Sequence, residues 1–268
     1  MIKAKKKFGQ NFLKDESILD KIIQSMPNDG LKVVEIGPGL GDLTKRLLHF
    51  KNVVAFEIDD ELCEILRREL STFIKEKKLL LKCTDVLQYW KGKNLIDQKY
   101  NLVANLPYYI ATKIVINLLK DDNCKNIIAM LQKEVAYKFC AKEGDKEFSY
   151  IAVMADLIGD ASIVCDVSPQ SFVPPPKVSS SVLRIKKRRE LIAKELFNNE
   201  KELKQFEQFL RSSFSSPRKT LIKNLSIYGK ERVLSLFSKL DIEEKIRPHQ
   251  LSSIKYLEIF KALTQILQ

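Results

Sequence analysis

Short apolar runs alternate with longer amphipathic segments through the first half of the chain. The runs are rich in Val, Ile and Leu, which is typical of buried strands. We predict five strands, at residues 31–36, 52–58, 78–83, 100–105 and 126–131. The segments between them repeat apolar residues at helical spacing and predict helices at 42–50, 60–76, 112–120 and 133–142. This alternation predicts an α/β fold with a doubly wound, mostly parallel sheet and helices on both faces.

The pattern changes in the last third of the chain. A helix at 149–157 is followed by apolar runs at 161–167 and 180–186, which we interpret as a strand pair completing the sheet. After KKRR at 186–189 no strand pattern recurs, and four helical segments follow, at 203–214, 219–227, 231–240 and 253–267. We therefore predict two domains, an α/β domain over residues 1–189 and a small all-helical domain over residues 190–268.

Positive charge is concentrated at the two ends of the chain. The 268 residues carry 46 Lys and Arg against 34 Asp and Glu, a net charge of +12. Residues 1–14 hold five lysines and no acid, residues 184–268 have a net charge of +9, and the middle is nearly neutral. Nucleic acid is the commonest partner of such a distribution, and a solvated surface is the alternative. A hydrophobic content of 45% excludes a disordered chain.

Cysteine and histidine usage excludes several classes of protein. The five cysteines are odd in number, scattered and never in a CxxC pair, which argues against a disulfide framework and a structural zinc site. The chain has two histidines, His49 and His249, which lie 200 positions apart. This argues against metal sites with histidine ligands and against Ser-His-Asp catalysis. No run approaches the roughly 18 apolar residues of a membrane span. We expect a soluble, unprocessed, cytoplasmic monomer without a metal.

The loop after the first predicted strand reads EIGPGLGD, with glycines at Gly37, Gly39 and Gly41. In an open α/β sheet the ligand lies beyond the carboxyl ends of the strands, where glycine lets the backbone approach it closely. A dinucleotide-binding GxGxxG sequence would place its third glycine at Asp42, whose carboxylate would oppose a pyrophosphate. The loop therefore favours a nucleoside ligand without phosphates over a plain turn.

Acidic residues follow the second and third strands. Glu57 lies 20 residues after Gly37, where a carboxylate can accept hydrogen bonds from both hydroxyls of a ribose. Asp59 and Asp60 fit a helix cap better than a ligand. Asp85 lies where it could accept the amino group of an adenine, although an isolated Asp is more typical of a turn.

The fourth strand runs into Asn105-Leu106-Pro107-Tyr108, the most specific signal in the chain. The Asn side-chain oxygen and the Leu106 carbonyl, held by Pro107, can both accept hydrogen bonds from an exocyclic amine. Tyr108 supplies a flat face for a flipped base. Phe172, in the segment SFVPPPK, could approach the same pocket from the other side or pack in the core.

In this order, the motifs resemble those of class I S-adenosylmethionine-dependent methyltransferases that act on the N6 amine of adenine. The chain more closely resembles the ribosomal RNA adenine dimethyltransferase family, and within it the bacterial small-subunit branch. Further stretches carry the resemblance over nearly the whole chain: KKKFGQNFL at the start, similar to the motif that covers the cofactor, LQKEVAYKF at 131–139, SSPRKTLIKNL at 215–225 and RPHQLS at 247–252.

The resemblance implies N6-dimethylation of two adjacent adenosines in the 3′-terminal hairpin of 16S rRNA, coupled to assembly of the small ribosomal subunit. It implies S-adenosyl-L-methionine as cofactor, a catalytic domain at 1–189 and an RNA-binding domain at 190–268. Its cofactor contacts correspond to Asn11, Leu13, Gly37, Gly39, Gly41, Glu57, Asp85 and Asn105. Its catalytic and target-base contacts correspond to Asn105, Leu106, Pro107, Tyr108 and Phe172. The phosphate contacts expected from the basic ends include Lys5, Lys6, Lys7, Arg218 and Lys219.

The chain departs from the family pattern at two places. Ser179 stands where an acidic residue usually follows PKV, and Phe148-Ser149 stands where an aromatic residue is usually followed by glycine. Two other functions stay open, a large-subunit rRNA methyltransferase of the macrolide-resistance type and a ribosome-assembly factor that acts mainly by binding. A nicotinamide dehydrogenase is a more distant alternative.

Overall fold

The computed structural model describes residues 5, 8–188, 196–197 and 199–265. The chain divides into two compact units, one formed by residues 1–137 and 160–187 and the other by residues 138–159 and 188–268. The predicted boundary at 189 and 190 lies outside the described residues. Residues 138–159, which we had placed in the first domain, are grouped with the helical unit instead.

Nine strands are present among the described residues. They are β1 (Phe12–Leu13), β2 (Lys32–Ile36), β3 (Val53–Glu57), β4 (Leu79–Cys83), β5 (Tyr100–Asn105), β6 (Cys124–Gln132), β7 (Gly159–Val167), β8 (Phe172–Val173) and β9 (Ser180–Lys187). Seven of them form one sheet in the order β4-β3-β2-β5-β6-β9-β7. The strands from β4 to β6 in that order run parallel, and β9 pairs antiparallel with β6. The predicted mostly parallel α/β sheet is confirmed.

Helices precede and connect these strands. They are α1 (Glu16–Gln24), α2 (Asp42–Leu48), α3 (Asp60–Glu69), α4 (Ser71–Lys75), α5 (Val86–Tyr89), α6 (Tyr108–Lys120) and α7 (Lys133–Cys140). The helix predicted at 60–76 is two helices, because the backbone leaves helical geometry at Leu70, with φ −110° and ψ 19°. Our prediction also missed α1, although Asp15 caps it by accepting hydrogen bonds from two backbone N–H groups.

The central strand β5 is buried along its length up to its last residue, Asn105, which is partly accessible. Strands covered by helices on both faces contain continuous apolar runs, because neither face meets water. β2, the neighbour of β5, is buried after its first residue, and β3, the next strand, is buried throughout. Packing in the apolar core therefore fixes where these three strands end. It also fixes the backbone of the polar residues at those ends.

Cys63 and Cys83 form a disulfide, a single bond that the argument against a disulfide framework did not anticipate. They are separated by 20 positions in the sequence, but Cys63 lies in α3, which follows β3, and Cys83 ends β4, the neighbour of β3. The parallel arrangement places their Cα atoms 6.1 Å apart, within reach of a disulfide. Spacing along the sequence does not reveal such a pairing.

The second unit is helical. Its helices are α8 (Tyr150–Ile158), α9 (Glu200–Ser213), α10 (Leu221–Asn224), α11 (Lys230–Lys239) and α12 (Ser253–Gln265). Packed rings of Phe206, Phe209, Tyr256 and Phe260 form its aromatic core. The helix predicted at 219–227 is shorter, because α10 gives way to a tight 3-10 turn at Ser226–Tyr228. No described helix is both long and apolar enough to cross a membrane.

Candidate active site

A cleft opens at the carboxyl ends of the parallel strands, where the sequence places its unusual residues. Its empty volume is about 1010 Å³, including the open solvent at its mouth. The predicted site residues that line it are Asn11, Leu13, Gly37, Gly39, Glu57, Asp85, Asn105, Leu106, Pro107 and Tyr108. Gly41 and Phe172 are not among the residues that line this cleft.

The loop after β2 requires glycine at two positions, Gly39 and Gly41. Gly39 has a φ of +61°, and a Cβ atom there would lie 3.1 Å from Cδ1 of Phe12. Gly41 has a φ of +83° and stands immediately before α2, where a Cβ would lie 3.0 Å from Leu66. Gly39 thus allows the Phe12 ring to pack against the loop, and Gly41 allows α2 to pack against the side chain of Leu66.

Glu57 is the last residue of β3 and is almost fully buried. Its Oε2 accepts the backbone N–H of Gly39 at 3.1 Å, and its Oε1 accepts the N–H groups of Ile58 and Asp59 at 2.9 and 3.0 Å. Burial raises the pKa of Glu57, while these three hydrogen bonds act in the opposite direction. A carboxylate offers about four acceptor positions, so one remains on Oε2 for a ligand hydroxyl.

Asp85 serves as a turn residue and also faces the cleft. Its Oδ1 accepts the backbone N–H of Leu87 at 2.8 Å and caps α5. Among the described residues its Oδ2 has no hydrogen-bond partner. The turn interpretation and the ligand interpretation are therefore compatible, because each uses a different oxygen of the same carboxylate.

Asn105 stands at the end of β5 with its amide held in one orientation. Its Nδ2 donates to the backbone carbonyl of Asn11 at 3.1 Å, and its Oδ1 has no partner among the described residues. The next residue, Leu106, donates its N–H to the carbonyl of Met130 in β6, and Pro107 is the cap residue immediately before α6. Among the described residues, two oxygens of consecutive residues thus have no hydrogen-bond donor, Oδ1 of Asn105 and the carbonyl oxygen of Leu106.

Tyr108 begins α6 and is partly buried. Its hydroxyl lies 2.6 Å from the Oγ of Ser180 at the start of β9. Burial raises the pKa of Tyr108, and the Ser180 hydroxyl opposes that shift. The ring is therefore fixed at the cleft wall by a polar anchor that the sequence did not indicate, because Ser180 is 72 positions away.

The segment before β1 is tied to the cleft rim by the buried carboxylate of Asp59. Lys5 Nζ lies 2.8 Å from Oδ1 of Asp59, and Gln10 donates to its Oδ2 at 2.9 Å. Lys5 also pairs with Glu61 at 3.0 Å, and these hydrogen bonds raise the pKa of Lys5. Lys5 was predicted to contact RNA, but here it is engaged within the protein. Asp59 also caps α3, as predicted.

Phe172 lies in β8 and is 2% exposed. Its backbone pairs with Leu13 of β1, and its ring belongs to the apolar core. The structure thus supports the packing alternative at this position, and a contact with the target base stays a prediction. Ser179 is exposed, and its carbonyl oxygen accepts the backbone N–H of Lys133.

The remaining predicted residues do not line this cleft or are not described. Arg218 and Lys219 are exposed in the second unit, in the turn between α9 and α10. Lys6 and Lys7 lie outside the described residues. Phe148 is buried against Phe214 within the second unit, in agreement with a packing position.

Glu35 is a cleft residue that we did not predict. It lies in β2 with 1% of its surface exposed, and its Oε2 has no hydrogen-bond partner among the described residues. Burial raises the pKa of Glu35 to about 8, the nearby Thr44 hydroxyl opposes the shift, and the charge of Glu57 adds to it. The feature of the sequence that could have identified Glu35 is an acidic residue within the apolar run of β2.

The cleft fits S-adenosylmethionine. Gly37 and Gly39 line the cleft, the Glu57 carboxylate can accept a ribose hydroxyl, and Asp85 retains an acceptor for an adenine amine. Asp42, in the first turn of α2, places a carboxylate at the helix end that faces this loop, which disfavours a phosphate there, and it pairs with Lys14 at 2.6 Å. Within the described part of the chain, no group of three or more His, Cys, Asp or Glu side chains could hold a metal.

Comparison with known proteins agrees with this geometry. Residues 1–265 match the profile of the family described as ribosomal RNA adenine dimethylase. The protein named ribosomal RNA small subunit methyltransferase A from Sulfurimonas denitrificans is 50% identical over 97% of this chain and 94% of its own length. Its namesake from Campylobacter jejuni strain RM1221 is 44% identical over 98% of this chain and 96% of its own length.

Solved structures show the same fold. A dimethyladenosine transferase from Plasmodium falciparum matches with a TM-score of 0.79 and 26% identity, covering 95% of this chain and 98% of that protein. The 23S rRNA methyltransferase ErmE matches with a TM-score of 0.68 and 23% identity, covering 95% of this chain and all of that protein. The family match over residues 1–265 and the relative at 50% identity show that the chain belongs to the ribosomal RNA adenine dimethylase family.

Proposed function

We propose that the protein transfers methyl groups from S-adenosylmethionine to the N6 amine of adenines in small-subunit ribosomal RNA. We further propose that it dimethylates two adjacent adenosines in the 3′-terminal hairpin of 16S rRNA. The observation that carries the proposal is the pair of unoccupied acceptors at the end of β5, Oδ1 of Asn105 and the carbonyl oxygen of Leu106. The shared name of the relatives at 44–50% identity supports the choice of the small subunit.

Asn105 and Leu106 would orient the attacking amine. When their two oxygens accept both N–H groups of an adenine amine, the nitrogen lone pair is directed away from them and toward the cofactor half of the cleft. The Asn105 amide cannot rotate freely, because its Nδ2 is held by the carbonyl of Asn11. Tyr108 would support the flat face of the base, with its hydroxyl anchored on Ser180.

The reaction needs no strong base from the protein. Bound S-adenosylmethionine supplies a methyl group on a sulfonium, which is already an activated leaving group. Neither His49 nor His249 lines the cleft, in agreement with a neutral amine that loses its proton after attack. Asn105 and Leu106 therefore contribute alignment and hydrogen bonds that favour the developing charge on nitrogen.

RNA would be held through its phosphates, and the target adenines would be unstacked to enter the cleft. Arg218 and Lys219 are exposed and suited to phosphate contacts. Lys5 is less suited, because Asp59 and Glu61 already neutralise it.

Identification of the modified nucleoside tests the proposal. RNA from small subunits that lack these methyl groups is incubated with the protein and S-adenosylmethionine, digested and analysed by mass. We expect N6,N6-dimethyladenosine. Methylation of another base, or of the ribose, would contradict the assignment of Asn105 and Leu106 to an adenine amine.

A further inference from the structure

Tyr109 is a large exposed aromatic residue on the rim of the cleft. It lines the cleft directly after Tyr108, yet 61% of its surface is exposed, and the sequence motif that ends at Tyr108 gives it no role. Ile58, which follows Glu57, lines the same cleft and is 41% exposed. Apolar surface of this kind at the mouth of a ligand site gains stability when a flat ligand covers it.

The order of strands places the partner of Tyr108 and the two acids of the cleft on opposite sides of β5. Tyr108 reaches toward β9, where its hydroxyl meets Ser180, and β9 lies beyond β6 on one side of β5. Glu57 and Asp85 follow β3 and β4, which lie on the other side of β5. Residues adjacent on a helix point about 100° apart, so neighbouring rings on α6 can face opposite sides of the cleft.

Electrostatics place Tyr109 on the side of the two acids. Burial raises the pKa of Tyr109, and the negative charges of Asp85 and Glu57 raise it further. In contrast, neither acid affects the pKa of Tyr108, which responds to burial and to the hydroxyl of Ser180. Tyr109 therefore shares the cleft with the two acids that we assign to the adenosine and is within reach of their charges.

The ring of Tyr109 also meets the segment that precedes β1. A Cβ atom on Gly9 would lie 3.4 Å from Cδ1 of Tyr109, and Gly9 has a φ of +60°. The Tyr109 ring therefore packs beside the backbone of Gly9, and both residues line the cleft.

We propose that the Tyr109 ring packs against the adenine of the bound cofactor, so that adjacent tyrosines serve different ligands: Tyr108 the target base and Tyr109 the cofactor. Ile58 supplies the opposing apolar surface. The inference rests on the proposed function, because it takes S-adenosylmethionine as the occupant of the cleft.

Calorimetric titration of the whole chain with S-adenosylhomocysteine and with methylthioadenosine tests this role without catalysis. Methylthioadenosine keeps the adenosine and lacks the amino-acid part. Tyr109→Ala should raise the Kd for both about tenfold, as expected for loss of one base–aromatic contact. Tyr109→Phe should stay within about twofold of wild type, because it keeps the ring. Tyr137→Ala, a change at a tyrosine that is 43% exposed outside the cleft, should leave both Kd values unchanged.

The same variants are assayed for the KM of the rRNA substrate, which Tyr109→Ala should not change. An unchanged Kd for S-adenosylhomocysteine with a raised KM for rRNA would overturn the inference and assign the ring to RNA. Equal losses in Tyr109→Ala and Tyr109→Phe would overturn it too, since the hydroxyl and not the ring would then bind. A wild-type chain that binds neither nucleoside would refute the proposed function itself. If wild type binds both, a negative result with the Tyr109 variants refutes the role of the Tyr109 ring alone.

Discussion

Asn105 donates its side-chain N–H to the backbone carbonyl of Asn11 at 3.1 Å, across 94 positions of the sequence. This hydrogen bond uses the donor end of the amide and leaves the acceptor end facing the cleft. It also joins the segment before β1 to the end of the central strand. The cofactor side and the target-base side of the cleft thus share one side chain.

Asn105→Ala should lower the turnover number about 10²-fold, as for other preorganised polar groups that act in a transition state. The affinity for rRNA should change little, because phosphate contacts dominate it. Single-turnover methyl transfer and filter binding measure the two quantities. Asn52→Ala changes an exposed asparagine that lies away from the cleft and serves as the control. Turnover within twofold of wild type in Asn105→Ala would contradict the assignment.

Gly39→Ala should weaken cofactor binding and destabilise the fold. Its φ of +61° costs about 1–2 kcal/mol for a residue with a Cβ, and that Cβ would crowd Phe12. Gly92→Ala is the matched control, because nothing lies within 4 Å of a Cβ there. Thermal unfolding and titration with S-adenosylhomocysteine compare the variants. Equal behaviour of the two would show that the loop does not need glycine at position 39.

Glu35→Gln should flatten the pH dependence of stability. Burial raises the pKa of Glu35 from 4.5 to about 8, so between these values the unfolded chain has released a proton that the folded chain retains. The folded state therefore loses about 1.4 kcal/mol per pH unit as the pH rises through this window. Glutamine has no proton to release and removes that loss.

Urea unfolding of wild type and Glu35→Gln at pH 5 and pH 8 measures this effect. The free energy of unfolding of the variant, relative to wild type, should be higher at pH 8 than at pH 5. Exchange of the exposed Glu64 for Gln is the control and should leave the slope unchanged. Parallel pH profiles for wild type and Glu35→Gln would show that Glu35 is ionised in the folded protein.

Exchange of both Arg218 and Lys219 for Ala should weaken rRNA binding and reduce its salt dependence. Each lost phosphate contact should lower the slope of log K against log salt by about one. The Kd for S-adenosylhomocysteine should not change, because neither residue lines the cleft. Lys204→Ala removes an exposed lysine that already pairs with Glu200 and is the control. An unaltered salt slope in the double variant would exclude these residues as phosphate contacts.

Local patterns in the sequence predict the sheet and much of the cleft. Glu57, Asp85 and Asn105 could be identified because each follows a continuous apolar strand, and parallel strands end at one edge of the sheet. The helix break at Leu70 lay beyond this reasoning, because both flanking segments have helical periodicity.

Pairings between distant residues could not be predicted in this way. Lys5 looked like a free basic residue until the fold brought Asp59 and Glu61 beside it. Phe172 was compatible with the cleft or the core, and only its pairing with Leu13 favours the core. The bond between Cys63 and Cys83 depends on the adjacency of β3 and β4. In each case the decisive contact joins residues at least 20 positions apart, where periodicity carries no information.

The most direct test is methyl transfer from labelled S-adenosylmethionine to undermodified small subunits, with large subunits and protein-free rRNA assayed in parallel. We predict dimethyladenosine on small subunits and none on large subunits. Label on large-subunit RNA would contradict the proposed substrate and favour an enzyme of the macrolide-resistance type. Tight binding to small subunits without any label would contradict catalysis and favour an assembly factor.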